Sequence, residues 1–203
     1  MPAQPLTPKG RQTRHAIEQA ARKLFAERGF HGTTLADITS AAGKSPAVFY
    51  RYYTDKEDLL AALAESFLRD IVTPSGLSLQ LPTSPDDTEF FHSVVTGYWN
   101  MFKQNIGIMI AVAQLAATET RFADVQNEFR RFGMDIVAAS VRRAQEQGHG
   151  TELNPQHTAA AIALLFENFT SVVVGGSGIG LEITDEDAIA TLSTIWKKTL
   201  YGF

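Results

Sequence analysis

The sequence predicts an all-α protein made of two modules, and three observations support this prediction. Apolar residues recur at helical spacing along most of the 203 residues. Capping residues, glycines and prolines divide that pattern into separate helices. The charges are uneven: residues 1–54 hold eight basic and three acidic residues, a net +5, so the rest of the chain must carry −9 to give the overall −4. We therefore expect a small basic module followed by a larger acidic one.

The first helix is predicted from about Arg11 to Arg28. Apolar residues lie there at positions i, i+3, i+4, i+7 and i+8, which form one face of an amphipathic helix. They are Ile17, Ala20, Ala21, Leu24 and Phe25. Gly29 is expected to end this helix.

A short second helix follows. Thr34 and Asp37 have the spacing of a capping box, in which each side chain accepts a hydrogen bond from the other residue's backbone N–H. The helix that they open is expected to reach Ala42. Gly43 then permits the left-handed backbone conformation that a sharp turn requires.

The third helix is predicted to be short as well. Ser45 and Pro46 have the sequence of a helix start, with an N-cap residue before a proline at the first helical position. This helix is expected to run to residue 52 or 53, because Thr54 and Glu57 form another capping signal. A long fourth helix therefore begins near residue 56.

Further helices are predicted beyond the loop that follows, at residues 73–85. They lie near residues 86–103, 105–117 and 121–147. Two apolar stripes end the chain, one made of Ile162, Leu165, Phe166, Phe169, Val172 and Val173 and the other of Ala188, Leu192, Ile195, Trp196 and Thr199.

The composition argues against enzymes and against bound cofactors. The chain has no cysteine, which excludes cysteine-based zinc sites and nucleophiles. Its five histidines lack the HExxH spacing of a zinc protease, so neither a metal nor another cofactor is expected. Residues 1–5 form no apolar signal core, and no run of about 18 apolar residues occurs. We therefore expect a cytoplasmic protein with no membrane contact.

A glycine-rich segment at residues 171–180 is the one pattern that favours an enzyme. An apolar run followed by glycines is compatible with a strand that leads into a phosphate-binding loop. However, Gly176, Gly178 and Gly180 do not give the spacing GxGxxG, and no βαβ unit surrounds them. An interhelical loop is the better interpretation.

Two short helices joined by a glycine turn form a helix-turn-helix arrangement, whose second helix enters the major groove of DNA. Residues 33–59 read TTLADITSAAGKSPAVFYRYYTDKEDL, which closely resembles the signature of the TetR (TetR/AcrR) family of transcriptional regulators. The residues that carry the resemblance are Thr34, Ile38, Ala42, Gly43, Tyr50, Tyr53, Lys56, Glu57 and Leu59. Lys44, Val48 and Tyr53 depart from the family's usual residues, so no operator sequence is transferred.

The resemblance implies a helix-turn-helix DNA-binding domain at residues 10–57 and a domain for ligand sensing and dimerisation at residues 58–203. It implies phosphate contacts by Thr34, Tyr50, Tyr52 and Lys56. Base contacts would then come from Lys44, Ser45, Pro46, Ala47 and Arg51. Phe49 and Tyr53 are expected to pack in the core of this domain, and packing or surface roles are the alternatives for Tyr50 and Lys56.

For the second domain, the resemblance implies a helical bundle that encloses a small hydrophobic effector and forms a homodimer through its last two helices. Aromatic and sulphur-bearing residues of the middle helices, with two polar anchors, are the candidates for the pocket. They are Phe67, Trp99, Phe102, Met109, Gln114, Phe122, Phe129, Asn168 and Phe169. Ordinary core packing is the alternative for each large side chain.

The function that we predict is a one-component regulator, a repressor that binds a pseudo-palindromic DNA operator as a dimer and is released by an apolar ligand. The competing hypothesis is a helical ligand carrier or antirepressor that does not bind an operator. The basic charge of the first module favours the regulator.

Overall fold

A computed structural model describes residues 7–72, 81–176 and 180–202. Within these ranges the chain forms nine α-helices and no strand, which confirms the predicted all-α class. The helices are α1 (Pro8–Arg28), α2 (Leu35–Ala41), α3 (Pro46–Phe49), α4 (Lys56–Val72), α5 (Thr88–Gln104), α6 (Ile106–Ala116), α7 (Thr120–Glu146), α8 (Pro155–Val174) and α9 (Asp185–Tyr201). Residues 73–80 of the predicted loop, and Gly178 of the glycine-rich segment, lie outside the described residues.

The helices fall into two compact units. The first consists of Met1–Phe67 with Gly107–Val125, and the second of Leu68–Ile106 with Gln126–Phe203. The first unit is therefore larger than the segment 10–57, because most of α6 and the beginning of α7 belong to it as well. The assignment of DNA binding to residues 10–57 and of sensing and dimerisation to residues 58–203 stays a prediction.

Local sequence explains where α1 and α2 begin and end. The Thr7 hydroxyl accepts a hydrogen bond from the Gly10 N–H at 3.2 Å, and Gly29 ends α1 with a φ of 72°. The predicted capping box of α2 is confirmed. The Thr34 hydroxyl accepts from the Asp37 N–H at 3.1 Å, and the Asp37 carboxylate accepts from the Thr34 N–H at 2.8 Å.

Two predictions about the next helices were wrong. Helix α3 ends at Phe49 rather than at residue 52 or 53. The N–H groups of Arg51 and Tyr52 donate to carbonyls three residues back, at 3.3 Å and 2.9 Å, which interrupts the four-residue spacing of an α-helix. The cap of α4 comes from Asp55 and not from Thr54. The Asp55 carboxylate accepts from the Asp58 N–H at 2.6 Å, and the aspartate fits this role as well as threonine does.

The core of the first unit is built from α1, α2, α3, α4 and α6. Phe49 is fully buried and Tyr53 nearly so, as the sequence predicted. Both pack with α1 residues such as Ile17 and Phe25 and with Leu59 of α4. Because these side chains are buried in one cluster, the orientation of α3 depends on the packing of Phe49.

A polar network closes one side of this core. The Tyr53 hydroxyl donates to the Glu18 carboxylate at 2.6 Å, and the Arg14 Nε donates to the same carboxylate oxygen at 2.7 Å. Arg14 Nε also lies 3.1 Å from the Tyr53 hydroxyl oxygen. The network joins α1 to the segment that follows α3, so it restrains the end of the helix-turn-helix.

The second unit packs α5, α7, α8 and α9 around aromatic side chains. Trp196 of α9 stands edge-on to Phe91 of α5, with 5.1 Å between ring centroids, and its indole N–H donates to the Ser140 hydroxyl at 3.2 Å. Residues of both predicted C-terminal stripes belong to this core, including Ile162 and Leu192. About half of the residues in the two stripes are therefore buried in the interior of the subunit.

Helix α8 is long and apolar enough to cross a membrane by length and composition, although core helices of soluble proteins pass the same test. Only 22% of the 18-residue apolar stretch of α8 is buried within the subunit. Leu164 is 50% exposed and Leu165 is 40% exposed. One face of α8 is therefore apolar and uncovered in the single chain.

The contact between α6 and α1 gives the first testable prediction. A Cβ atom at Gly107 would meet the Ala26 backbone nitrogen and the Phe25 carbonyl carbon, each at 2.5 Å. We expect Gly107→Ala to lower the free energy of unfolding by about 1–3 kcal/mol, as overpacking does. Gly97→Ala in α5 is the control, because a Cβ atom at this position meets no other atom within 4 Å. Its free energy of unfolding should rise by up to about 1 kcal/mol, since alanine has the higher helix propensity. Urea unfolding followed by circular dichroism measures the stability of both variants. An equal increase in stability for Gly107→Ala and Gly97→Ala would show that α1 and α6 are not in close contact.

The Tyr53 network gives a prediction about pH. Burial raises the pKa of Tyr53, and the hydrogen bond to Glu18 adds to this effect. The neutral phenol therefore stabilises the fold below the unfolded-state pKa of about 10, and this contribution is lost as the pH rises above that value. We expect Tyr53→Phe to cost about 1 kcal/mol at neutral pH, because a hydrogen bond is lost. The variant should then lose less stability than the wild type between about pH 9 and pH 11.

Urea unfolding at several pH values tests this expectation. The exposed Tyr50 provides a matched control, because Tyr50→Phe removes a hydroxyl that lies outside the network. Parallel stability curves for the wild type and Tyr53→Phe would show that ionisation of Tyr53 does not limit alkaline stability.

Candidate functional site

The turn between α2 and α3 fixes the direction of α3. Gly43 has a φ of 61°, its N–H donates to the Ser40 carbonyl at 3.0 Å, and the Lys44 N–H donates to the Thr39 carbonyl at 2.9 Å. This pair of bonds is the Schellman motif, which places glycine in the left-handed conformation just after a helix. A side chain at residue 43 would be strained, so the turn depends on glycine.

Helix α3 has one buried side and one exposed side. Phe49 is buried, whereas Ser45, Pro46, Ala47 and Arg51, all predicted to contact bases, are exposed. Lys44 is partly exposed. The structure thus brings the predicted base-contacting residues together on a single surface around α3.

Tyr50 is the most conspicuous residue of this surface. Its side chain is 61% exposed, and its ring stands edge-on to Phe49 with 5.7 Å between centroids. A large aromatic side chain contributes little to the core when it is so exposed, which argues against the packing role considered for it. Tyr52, another predicted phosphate contact, is partly buried against the first core.

Thr34 lies exposed at the start of α2, but its hydroxyl is engaged in the capping box. It donates to the Asp37 carboxylate at 2.6 Å. The Thr34 hydroxyl and the Thr34 backbone N–H hold the pKa of Asp37 below its usual value. A phosphate contact by the Thr34 hydroxyl would therefore compete with the cap of α2.

Lys56 holds the loop between α1 and α2 against the start of α4. Its ammonium group donates to the Phe30 carbonyl at 2.7 Å and to the Thr33 carbonyl at 2.8 Å. The same group lies 4.1 Å from the centroid of the Phe30 ring, and burial lowers its pKa. An ammonium group has three donors, so at most one is left for a phosphate oxygen. Lys56 is therefore a structural residue as well as a predicted phosphate contact.

The second unit contains a cavity of about 380 Å³ between α5, α7 and α8. This volume lies within the range of ligand pockets, about 300–1,000 Å³. Most of its lining is apolar. The residues are Ser93, Val94, Val95, Gly97, Tyr98, Met101, Phe129, Arg130, Phe132, Gly133, Ile136, Val137, Ile162, Ala163, Phe166, Glu167 and Trp196.

Two charged side chains line this cavity, and they neutralise each other. Arg130 Nε donates to Glu167 Oε2 at 2.6 Å, and Arg130 Nη2 donates to Glu167 Oε1 at 2.9 Å. Gln126 Nε2 also donates to Glu167 Oε1, at 2.8 Å. This bidentate geometry is the strongest arrangement that an arginine and a carboxylate form.

Among the nine residues predicted to bind the ligand, Phe129 lines the cavity. Trp99 and Phe102 are buried in the same unit, and Asn168 and Phe169 lie on α8, but none of the four lines it. The other four belong to the first unit, namely Phe67, Met109, Gln114 and Phe122.

Sequence reasoning missed most of the lining because it ranked side chains by size. Gly97 in α5 and Gly133 in α7 were the available signal, since a glycine inside a helix costs about 1 kcal/mol relative to alanine and leaves space beside the helix. Both glycines line the cavity, where the absence of a side chain leaves space.

Comparison with known sequences places the first unit in a family. Residues 17–63 match the model of the bacterial regulatory proteins, tetR family. The HTH-type transcriptional regulator EthR of Mycobacterium tuberculosis is 26% identical over 200 residues, which cover 96% of this chain and 90% of EthR. The HTH-type transcriptional repressor KstR2 of Rhodococcus jostii is 29% identical over 147 residues, or 66% of each chain.

Solved structures agree in fold. A TetR-like transcriptional regulator from Rhodococcus sp. RHA1 gives a TM-score of 0.67 at 21% identity, covering 92% of this chain and 94% of the other. FadR of Bacillus subtilis, solved in complex with stearoyl-CoA, gives 0.66 at 17% identity, covering 93% and 98%. The related proteins are transcriptional regulators and not enzymes. Residues 17–63 therefore carry the helix-turn-helix of the tetR family, and the chain as a whole is similar in sequence and fold to transcriptional regulators of that family.

Proposed function

We propose that this chain is a one-component repressor that binds a pseudo-palindromic operator as a dimer and is released by a small, largely apolar ligand. The observation that carries the proposal is the exposed surface around α3, where Tyr50 and Arg51, the two residues after the helix, lie on the outside of a well-packed helix-turn-helix. Exposed aromatic and cationic side chains on a rigid element are typical of a binding surface.

The electrostatics of the first module support DNA as the partner. Residues 1–54 carry a net charge of +5 within a chain of net charge −4. Cations attract the phosphate backbone and release its counterions, which provides affinity without sequence preference. Tyr50, Tyr52, Thr34 and the remaining donor of Lys56 are the proposed phosphate contacts. Because a chromosomal operator is the target, we assign the protein to the cytoplasm.

Base recognition is assigned to the exposed surface around α3. Arg51 and Lys44 carry the donors that pair with guanine in the major groove. Ser45, Pro46 and Ala47 complete the surface, and their small size allows the backbone of α3 to approach the base edges. A helix of four residues reads few base pairs, so a second half-site is required for useful specificity.

The uncovered face of α8 supports dimerisation through the last two helices. Ala161, Leu164, Leu165 and Asn168 are exposed at helical spacing on α8, and Ile195 is exposed on α9. These positions differ from those of the predicted stripes, in which the exposed residues are Leu165, Ile195 and Thr199. A mostly apolar exposed face of this kind is typical of an interaction surface, and a second copy satisfies the twofold symmetry of a palindrome.

Ligand release follows from thermodynamic linkage. A ligand that binds the DNA-incompetent state more tightly lowers operator affinity by the ratio of its affinities for the two states. The apolar cavity of the second unit is the proposed ligand site. Among the relatives, KstR2 is a repressor and FadR was solved with stearoyl-CoA, which agrees with a ligand-controlled repressor.

The direct test is selection of the purified chain against a randomised duplex pool at about 150 mM salt, because salt at this level suppresses purely electrostatic binding. We expect enrichment of an inverted repeat with half-sites about one DNA turn apart. A folded dimer that enriches no sequence would favour the carrier or antirepressor hypothesis instead.

Arg51→Ala tests the role of α3 in base recognition. The loss of a bidentate contact to guanine costs about 1–3 kcal/mol at one position, so we expect the variant to accept other base pairs there. Repeating the selection measures this preference. Arg142→Ala is the matched control, since Arg142 is an exposed arginine of α7 in the second unit. An equal loss of affinity for every sequence would make Arg51 a phosphate contact.

Leu165→Glu tests the dimer interface. A carboxylate placed in a buried apolar interface is not compensated, so we expect dissociation into folded monomers and loss of operator binding. Sedimentation velocity measures the oligomeric state. Leu181→Glu is the control, because Leu181 is 67% exposed and lies outside both helices. If the Leu165 variant stays dimeric, the subunits associate through another surface.

A further inference from the structure

The polar groups of the cavity define the ligand more closely than its apolar lining does. Arg130 and Glu167 are the charged side chains among the lining residues. Each is already bound to the other through two hydrogen bonds. Glu167 is further held by Gln126, and Arg130 Nη1 donates to Asn127 at 3.3 Å. The lining of the cavity therefore has no net charge and no cation that lacks a carboxylate.

An anionic ligand would meet an unfavourable site. To reach Arg130, a carboxylate or phosphate group has to displace Glu167, which would leave that carboxylate partly buried beside a second negative charge. Breaking a paired charge in this way is strongly unfavourable. A cationic ligand would have to displace Arg130 from Glu167 and is disfavoured for the same reason.

Two of the residues that line the cavity carry neutral hydroxyl donors, Ser93 and Tyr98, and of these Ser93 is exposed to solvent. Neither the buried Tyr98 hydroxyl nor the buried Thr170 hydroxyl beside it makes a well-formed hydrogen bond among the described residues. The ring is held between Phe102 and Phe166, with centroid distances of 5.9 and 5.7 Å. Burial raises the pKa of Tyr98, so the phenol keeps its proton at neutral pH. An unpaired buried hydroxyl is costly, and a ligand oxygen that accepts its proton would remove that cost.

We propose that the ligand of this cavity is a neutral, mostly apolar molecule whose single polar group, a carbonyl or ester oxygen, accepts a hydrogen bond from Tyr98. This inference rests on the proposed function, since it takes the cavity as the effector site. It excludes free fatty acids, phosphate esters and coenzyme A thioesters as the group bound inside the cavity. The ligand class thus differs from the anionic stearoyl-CoA in the FadR structure.

A matched pair of probes tests the charge requirement. Methyl octanoate and octanoate share a chain and differ in the charge of the head group. In calorimetric titration of the dimer at neutral pH, we expect the ester to bind at least about tenfold more tightly, a difference of about 1.4 kcal/mol. Equal or tighter binding of octanoate, or no binding of the ester up to its solubility limit, overturns the inference.

Two variants test the assigned residues. Tyr98→Phe should weaken binding of the ester about fivefold, as expected for a lost neutral hydrogen bond, and Tyr201→Phe is the control because Tyr201 does not line the cavity. Glu167→Gln leaves the charge of Arg130 uncompensated, so octanoate should gain at least about tenfold while the ester gains little. An unchanged affinity of octanoate for this variant would contradict the role assigned to the ion pair.

Operator binding is measured separately, by gel shift without added ligand. If the ester fails to bind while the operator is still recognised, the ligand class is wrong and the repressor proposal stands. If the ester binds as expected and no operator is recognised, the ligand class stands and the proposed function fails.

Discussion

The burial of Phe49 is the constraint on which the proposed DNA-binding surface depends. Helix α3 has four residues, and isolated helices shorter than about 12–15 residues are marginal in water. Its conformation is therefore imposed from outside, by Phe49 in the core on one side and by the glycine turn at residue 43 on the other. The exposed residues of α3 keep fixed positions because the buried Phe49 holds the helix in place.

Two sets of polar contacts extend this constraint to the rest of the first unit. One is made by Lys56, and the other is the network of Arg14, Glu18 and Tyr53. Lys56 fastens the loop between α1 and α2 to α4 by two hydrogen bonds to backbone carbonyls. The network fastens the end of the helix-turn-helix to α1. Polar side chains thus help the small core to hold the short helices in position. This is expected where a few apolar residues have to position several short helices.

The sequence was sufficient for elements whose signals are local. The spacing of Ile17 and Phe25, the Thr34–Asp37 capping box and the glycine turn depend on neighbours within a few residues, and the structure agrees with all three. The early end of α3 and the lining of the cavity depend on contacts between distant segments. Which helices enclose a cavity is decided by their packing, and one sequence does not contain that information. Side-chain size was accordingly a poor guide, whereas Gly97 and Gly133 carried the relevant signal.

Helix α8 combines three roles because its side chains point in different directions at 3.6 residues per turn. Ile162 and Phe166 pack into the core of the subunit, and together with Ala163 and Glu167 they line the cavity. Leu164 and Leu165, between them in sequence, are exposed on the other side. A ligand that moves this helix must therefore move the exposed face as well, since a helix of this length behaves as one rigid element on the scale of a side chain. If a second copy covers that face, occupation of the cavity and the relation between the two subunits are coupled through α8 itself.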